Sequence, residues 1–246
     1  TMIIQMTSSK LSNMLYQGNA FALESALYWA IQSRGQKNRH VSYTTFNHGV
    51  NTIPIHNADN ESIGDTQFFN DWVLNKNNKP YWEKIEGNDR LKNIKSPILL
   101  VGGWYDPFLP SQIQDFNRIK SLDSTVSEKT QFIIGPWSHG KKIDIPNSQN
   151  KKSFRQSMFE LSIPWFDTQM GITNNNIEHT PIQLYIMGIN QWRNENEWPL
   201  ARTIYTKYYL HSRGRANSVN GNGILKNTPP QKHQPYDHFI YDPQKP

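Results

Sequence analysis

Two short apolar runs, each closed by glycine, restrict the architecture of this chain more than any other feature. Ile98-Leu99-Leu100-Val101 runs into Gly102-Gly103, and Phe132-Ile133-Ile134 runs into Gly135. A short run without polar alternation is what a strand covered on both faces requires, and such strands belong to parallel sheets. Residues 111–121 between the runs carry a helical pattern. Residues 152–170 carry a longer one, with Phe154, Met158, Phe159, Leu161, Trp165, Phe166 and Met170 expected inward. Strand, helix, strand, helix in that order predicts a right-handed α/β layer with a parallel sheet.

The flanking sequence has different periods. Residues 1–7 read as a short buried strand. Phe21, Leu23, Leu27, Tyr28 and Ile31 recur at helical spacing over 19–34. A second helix opens at Asp65-Thr66, with Phe68, Phe69, Trp72, Val73 and Leu74 as its apolar side, and Pro80 is expected to stop it. Residues 47–63 read as loop. Beyond Gly171, Ile182, Leu184 and Ile186 alternate with period two, and 203–210 and 239–241 repeat the pattern around a Gly/Asn/Ser-rich stretch at 212–227. The expected division is a mainly helical region at 1–85 with one entering strand, the α/β layer at 86–175, and a β region at 176–246.

Composition narrows the function classes. With no cysteine, disulfides, thiolate nucleophiles and Cys-bound zinc drop out. The net charge of +6 comes from scattered Lys and Arg, whose densest clusters are the pairs Lys141-Lys142 and Lys151-Lys152, so no nucleic-acid partner is expected. No apolar run approaches the roughly 18 residues of a membrane span, and the first residues lack the pattern of a signal peptide. A soluble, cytoplasmic protein without a membrane partner is the expectation. His40, His48 and His56 recur at eight-residue intervals in loop-like sequence, unlike the closer spacing of zinc ligands. No metal or cofactor is expected.

Chemistry is expected where the two strands end. Asp106 follows Gly102-Gly103-Trp104-Tyr105, and His139 follows Gly135-Pro136-Trp137-Ser138. Ligands of open parallel sheets bind in the crevice beyond the carboxyl ends of the strands. Alone, Asp106-Pro107 would be an ordinary turn and His139 an ordinary loop histidine. Together, one helix apart and each just past a buried strand, they match the acid and base of a triad in the chain order Ser…Asp…His. The histidine would take the serine proton and return it to the leaving group, and the buried aspartate would hold the ring and stabilise its charged form.

Three longer stretches carry a family resemblance. Pro80–Phe108 (PYWEKIEGNDRLKNIKSPILLVGGWYDPF), Ile133–Gly140 (IIGPWSHG) and Met187–Leu200 (MGINQWRNENEWPL) closely resemble the CocE/NonD (cocaine esterase-like) family of serine hydrolases. That family is related to X-Pro dipeptidyl peptidases and α-amino-acid ester hydrolases. The resemblance implies an α/β-hydrolase core with a helical cap, followed by a β jelly roll. It makes Asp106 the triad acid and His139 the base, and it implies substrate-lining roles for Phe108 and for Trp29 on the cap. Trp104 and Trp137 read as structural. The departure is the nucleophile, because no G-x-S-x-G elbow occurs anywhere in 1–246. The chain therefore reads as a fragment supplying acid and base, inactive alone. Its expected partners are a small ester or acyl substrate and its own N-terminal half, or a second copy. An X-Pro aminopeptidase and a non-catalytic binding module stand as alternatives.

Overall fold

The computed structural model describes residues 1–34, 42–122, 125–139, 154–172 and 180–242. The first compact unit, Thr1–Leu200, is built on a five-stranded sheet. Its strands are β1 (Met2–Gln5), β4 (Ile98–Tyr105), β5 (Gln131–Ser138), β6 (Ile182–Ile186) and β7 (Gln191–Glu195), in that spatial order. The first four run parallel, and β7 returns antiparallel beside β6.

Both glycine-closed runs are the central strands of this sheet. Alternate residues serve opposite faces, as the pleat requires. Ile98, Leu100, Phe132, Ile134, Ile182 and Leu184 pack against Phe116 and Ile119 of α6 (Leu109–Lys120), the helix that leads from β4 towards β5. Leu99, Val101 and Ile133 pack on the other face against Met158 and Trp165 of α8 (Phe154–Gln169). A short α7 (Thr125–Lys129) precedes β5. The buried stripe of α8 is narrower than expected: Phe159 is 74% exposed and Met170 is also exposed. Met158 and Trp165 lie seven residues apart on one face, and Phe159 is turned about 100° from it by the helical pitch. The Phe154 side chain lies outside the described residues.

Between β1 and β4 the described residues are mainly helical, with their own apolar cluster around Leu15, Leu27, Phe69, Trp72 and Trp82. They comprise α1 (Ser12–Leu15), the small hairpin of β2 (Tyr16–Gln17) and β3 (Ala20–Phe21), α2 (Leu23–Arg34), α3 (Tyr43–Val50), α4 (Gln67–Leu74) and α5 (Lys79–Ile85). Part of the stretch expected as loop is helix α3. Ser42 caps it by accepting the Thr45 N–H at 3.1 Å, and Gly49 lies where a Cβ would collide with the Ala58 carbonyl and Leu27. Pro80 does not simply end a helix. It occupies the first turn of α5, where its missing N–H costs nothing, and Asn78 caps that turn. Leu74, expected on the apolar side of α4, is exposed because Phe69 and Trp72 set the buried stripe.

The β-patterned sequence after residue 180 divides between two units. β6 pairs with β5 (Ile133 opposite Gln183) and thus extends the α/β sheet, so the expected division at 176 differs from the compact-unit boundary after Leu200. A period of two announces a strand but not the sheet it will join. The second unit, Ala201–Pro246, contains the antiparallel pair β8 (Tyr209–His211) and β9 (Ile224–Lys226). Of the strand expected over 203–210 only the end joins that ladder, and 239–241 is irregular chain. Among the described residues no helix is long and apolar enough to cross a membrane.

Candidate active site

β4 ends at Tyr105, and the backbone turns at once. Asp106 N–H donates to the Gly103 carbonyl at 3.0 Å, and Leu109 N–H donates to the Asp106 carbonyl at 3.1 Å. This turn leads directly into α6 and leaves the Asp106 carboxylate fully enclosed. Both of its oxygens are occupied: Oδ1 accepts the Phe108 N–H at 2.8 Å, and Oδ2 lies 2.8 Å from His139 Nδ1. A carboxylate can only accept, so the proton of the second bond sits on Nδ1. That tautomer leaves the Nε2 lone pair of neutral His139 available as a base. The imidazole is 53% exposed, against none for the carboxylate that holds it. Its pKa is raised, chiefly by the hydrogen bond to Asp106, with part of the gain opposed by burial.

The glycines and one irregularity bring the pair together. Gly103 is paired with Gly135, but Tyr105 is paired with Ser138, so β5 has one more residue than β4 between these two levels. Such a bulge bends the strand that carries it and re-aims the next residues along the chain, and the residue after Ser138 is His139. The bulge leaves no room for side chains. A Cβ at Gly103 would run into the Trp137 carbonyl, and one at Gly135 would run into the Trp137 ring.

Of the four residues singled out from sequence, three meet. Phe108 is half-buried beside His139, with ring centroids 5.6 Å apart and planes tilted by 38°. It also packs against the apolar cluster of the helical region. Trp29 sits on α2, 48% exposed, and its ring partners are Trp72 at 5.3 Å and Phe68 at 5.7 Å. Phe68 and Phe108 pack against the same cluster, which makes Trp29 part of the helical layer that reaches the pair through Phe108. His48 is on α3 and His56 on a short 3-10 turn, whereas His40 lies outside the described residues. Sequence patterning assigns no specific contact to Trp104, Trp137, Trp192 or Trp198. The visible signal is that Trp104 and Trp137 each stand two residues before Asp106 and His139.

Comparison with known proteins identifies the family. Residues 1–141 match the family model described as X-Pro dipeptidyl-peptidase (S15 family), and 175–245 match the X-Pro dipeptidyl-peptidase C-terminal non-catalytic domain. The cocaine esterase of Rhodococcus sp. (strain MB1 Bresler) is 29% identical over 186 residues, which cover 71% of this chain and 31% of that protein. An aminopeptidase from the marine sediment archaeon Thaumarchaeota archaeon superposes with a TM-score of 0.67 at 17% identity, over 99% of this chain and 41% of its own. An α-amino acid ester hydrolase superposes with a TM-score of 0.62 at 15% identity, over 94% and 39%. The chain thus spans less than half the length of each of these relatives.

Proposed function

The chain belongs to the X-Pro dipeptidyl-peptidase (S15) family, and from that premise we propose that it carries the acid and base of a serine acyl hydrolase of the cocaine esterase type. The observation that carries the reading is the 2.8 Å hydrogen bond from His139 Nδ1 to the enclosed Asp106 carboxylate, at the ends of adjacent parallel strands. In this reading His139 Nε2 removes the proton of a serine hydroxyl as it attacks an ester or amide carbonyl. The same nitrogen then returns the proton to the leaving group, and Asp106 stabilises the imidazolium in between. Phe108 and Trp29 line the acyl pocket.

The serine comes from outside residues 1–246, which contain no G-x-S-x-G elbow. Among the described residues β1 pairs on one side only, with β4, and its other edge is free to receive the nucleophile strand. Residues 175–245 begin a jelly-roll β domain, a reading supported by the β8–β9 ladder. The test is reconstitution with a separately expressed N-terminal segment bearing the elbow. Hydrolysis of a p-nitrophenyl ester is expected only from the assembled pair and should fall by about 10³-fold or more in His139→Ala. Continued silence on assembly would favour a non-catalytic binding module, and rapid fluorophosphonate labelling of this chain alone would sink the missing-nucleophile reading.

The description of the family model favours one second reading, an X-Pro aminopeptidase. Comparing an X-Pro-p-nitroanilide with the ester on the assembled protein separates the two, since a peptidase releases nitroaniline at a comparable kcat/KM.

A further inference from the structure

The tryptophans two residues ahead of Asp106 and His139 reach, from opposite faces of the sheet, to the same element, the β6–β7 hairpin. On the α6 face, Trp104 Nε1–H donates to the Tyr185 carbonyl of β6 at 2.7 Å, across the intervening strand β5. The Trp104 ring also lies 6.1 Å from Trp198, just beyond β7. On the α8 face, the buried Trp137 ring lies 5.8 Å from Trp192 of β7, which meets Tyr185 edge-on at 5.4 Å. At the turn of the hairpin, Tyr105 Oη donates to Met187 Sδ at 3.3 Å.

The ladder to β4 continues through this level, with Gly103 opposite Gly135 and Tyr105 opposite Ser138, but the ladder to β6 does not. The β5–β6 register ends at Ile134 opposite Leu184. Beyond it β5 continues through Gly135 and Pro136, which offer respectively no side chain and no N–H. The bulge falls in the same segment. The ladder therefore ties the stretch that aims His139 to β4, and not to the β6–β7 hairpin. The indoles span the gap instead, and Gly103 and Gly135 are the residues that leave Trp137 room to do so.

We propose that the β6–β7 hairpin is the positioning element of the acid–base pair, with Trp192 and the Tyr185 carbonyl holding Trp137 and Trp104, and through them the directions of His139 and Asp106. The hairpin falls within the segment matched by a domain described as non-catalytic, so part of that segment is a working support of the site. The proposal rests on the reading of Asp106 and His139 as the catalytic pair, but its test needs no turnover and so fails or succeeds separately from it.

The experiment is an NMR titration of the His139 imidazole in the chain as it stands, in wild type, Trp104→Phe and Trp192→Ala. Trp104→Phe keeps a ring and removes only the N–H donor, so it remains usable if Trp192→Ala does not fold. Trp165→Phe, in the same apolar cluster as Trp137 but on α8, is the structural control. The expected result is a lowered His139 pKa and loss of the downfield Nδ1–H resonance in both test variants. Trp192→Phe should restore both, and Trp165→Phe should lower the thermal midpoint without touching His139. An unchanged His139 pKa and Nδ1–H signal in folded Trp104→Phe would overturn the proposal. So would an equal shift in Trp165→Phe.

Discussion

The two strand-end loops have similar sequence and opposite exposure. Gly-Gly-Trp-Tyr-Asp turns straight into α6 and encloses its carboxylate, whereas Gly-Pro-Trp-Ser-His bulges outward and leaves half of the imidazole in solvent. The difference suits the roles proposed for the two groups. A carboxylate that only holds a ring gains by losing its competition with water, because its hydrogen bonds strengthen as the local dielectric falls. A base has to reach a proton on another molecule, so it has to stay accessible. In the proposed hydrolase, two loops built from the same kinds of residue thus carry the fixed and the working half of one acid–base pair.

Asp106→Asn breaks that division most severely. One amide must face the Phe108 N–H and His139 Nδ1 together, and an NH₂ group turned to the ring forces the Nε2–H tautomer, which cannot act as base. In the reconstituted protein kcat should fall by about 10⁴-fold with little change in KM, read from steady-state ester hydrolysis. Gly103→Ala attacks the geometry instead of the charge. Its Cβ meets backbone and not a movable side chain, so a loss of about 1–3 kcal/mol in urea denaturation is expected, together with a weakened His139–Asp106 bond.

The smallest effect is one of pH. The folded state holds the His139 proton more tightly than the unfolded chain. The attraction therefore contributes fully below the unfolded histidine value of about 6.5, and is lost as pH rises through the higher folded value. The difference in urea midpoint between wild type and His139→Gln should shrink across that interval. A difference that grows with pH would show that the two groups are not coupled through this hydrogen bond.

Sequence alone was sufficient for the features whose cause is local. Short all-apolar runs ending in glycine, with a helical pattern between them, read as parallel strands covered on both faces, and that placed Asp106 and His139 at the same end of one sheet. Caps also have local causes, but they were not read from the sequence: Ser42 starts α3 by accepting the Thr45 N–H, and Pro80 begins α5 where a stop was expected. Other features depended on partners distant in the chain. Alternation at 182–186 fits a strand in either sheet, and only the pairing of Ile133 with Gln183 assigns it to the α/β layer. The contact of Trp104 with Tyr185 joins residues 81 positions apart. Patterning marks roughly which face of an element is buried, because burial follows a residue's chemistry and the period of its neighbours, but it set that face too wide at Leu74, Phe159 and Met170. Which element lies against that face depends on shape and hydrogen bonds shared between distant segments. The sequence thus determined the two strands and the place of Asp106 and His139 at their ends, and the tertiary structure alone decided which distant side chains meet Trp104 and Trp137 behind them.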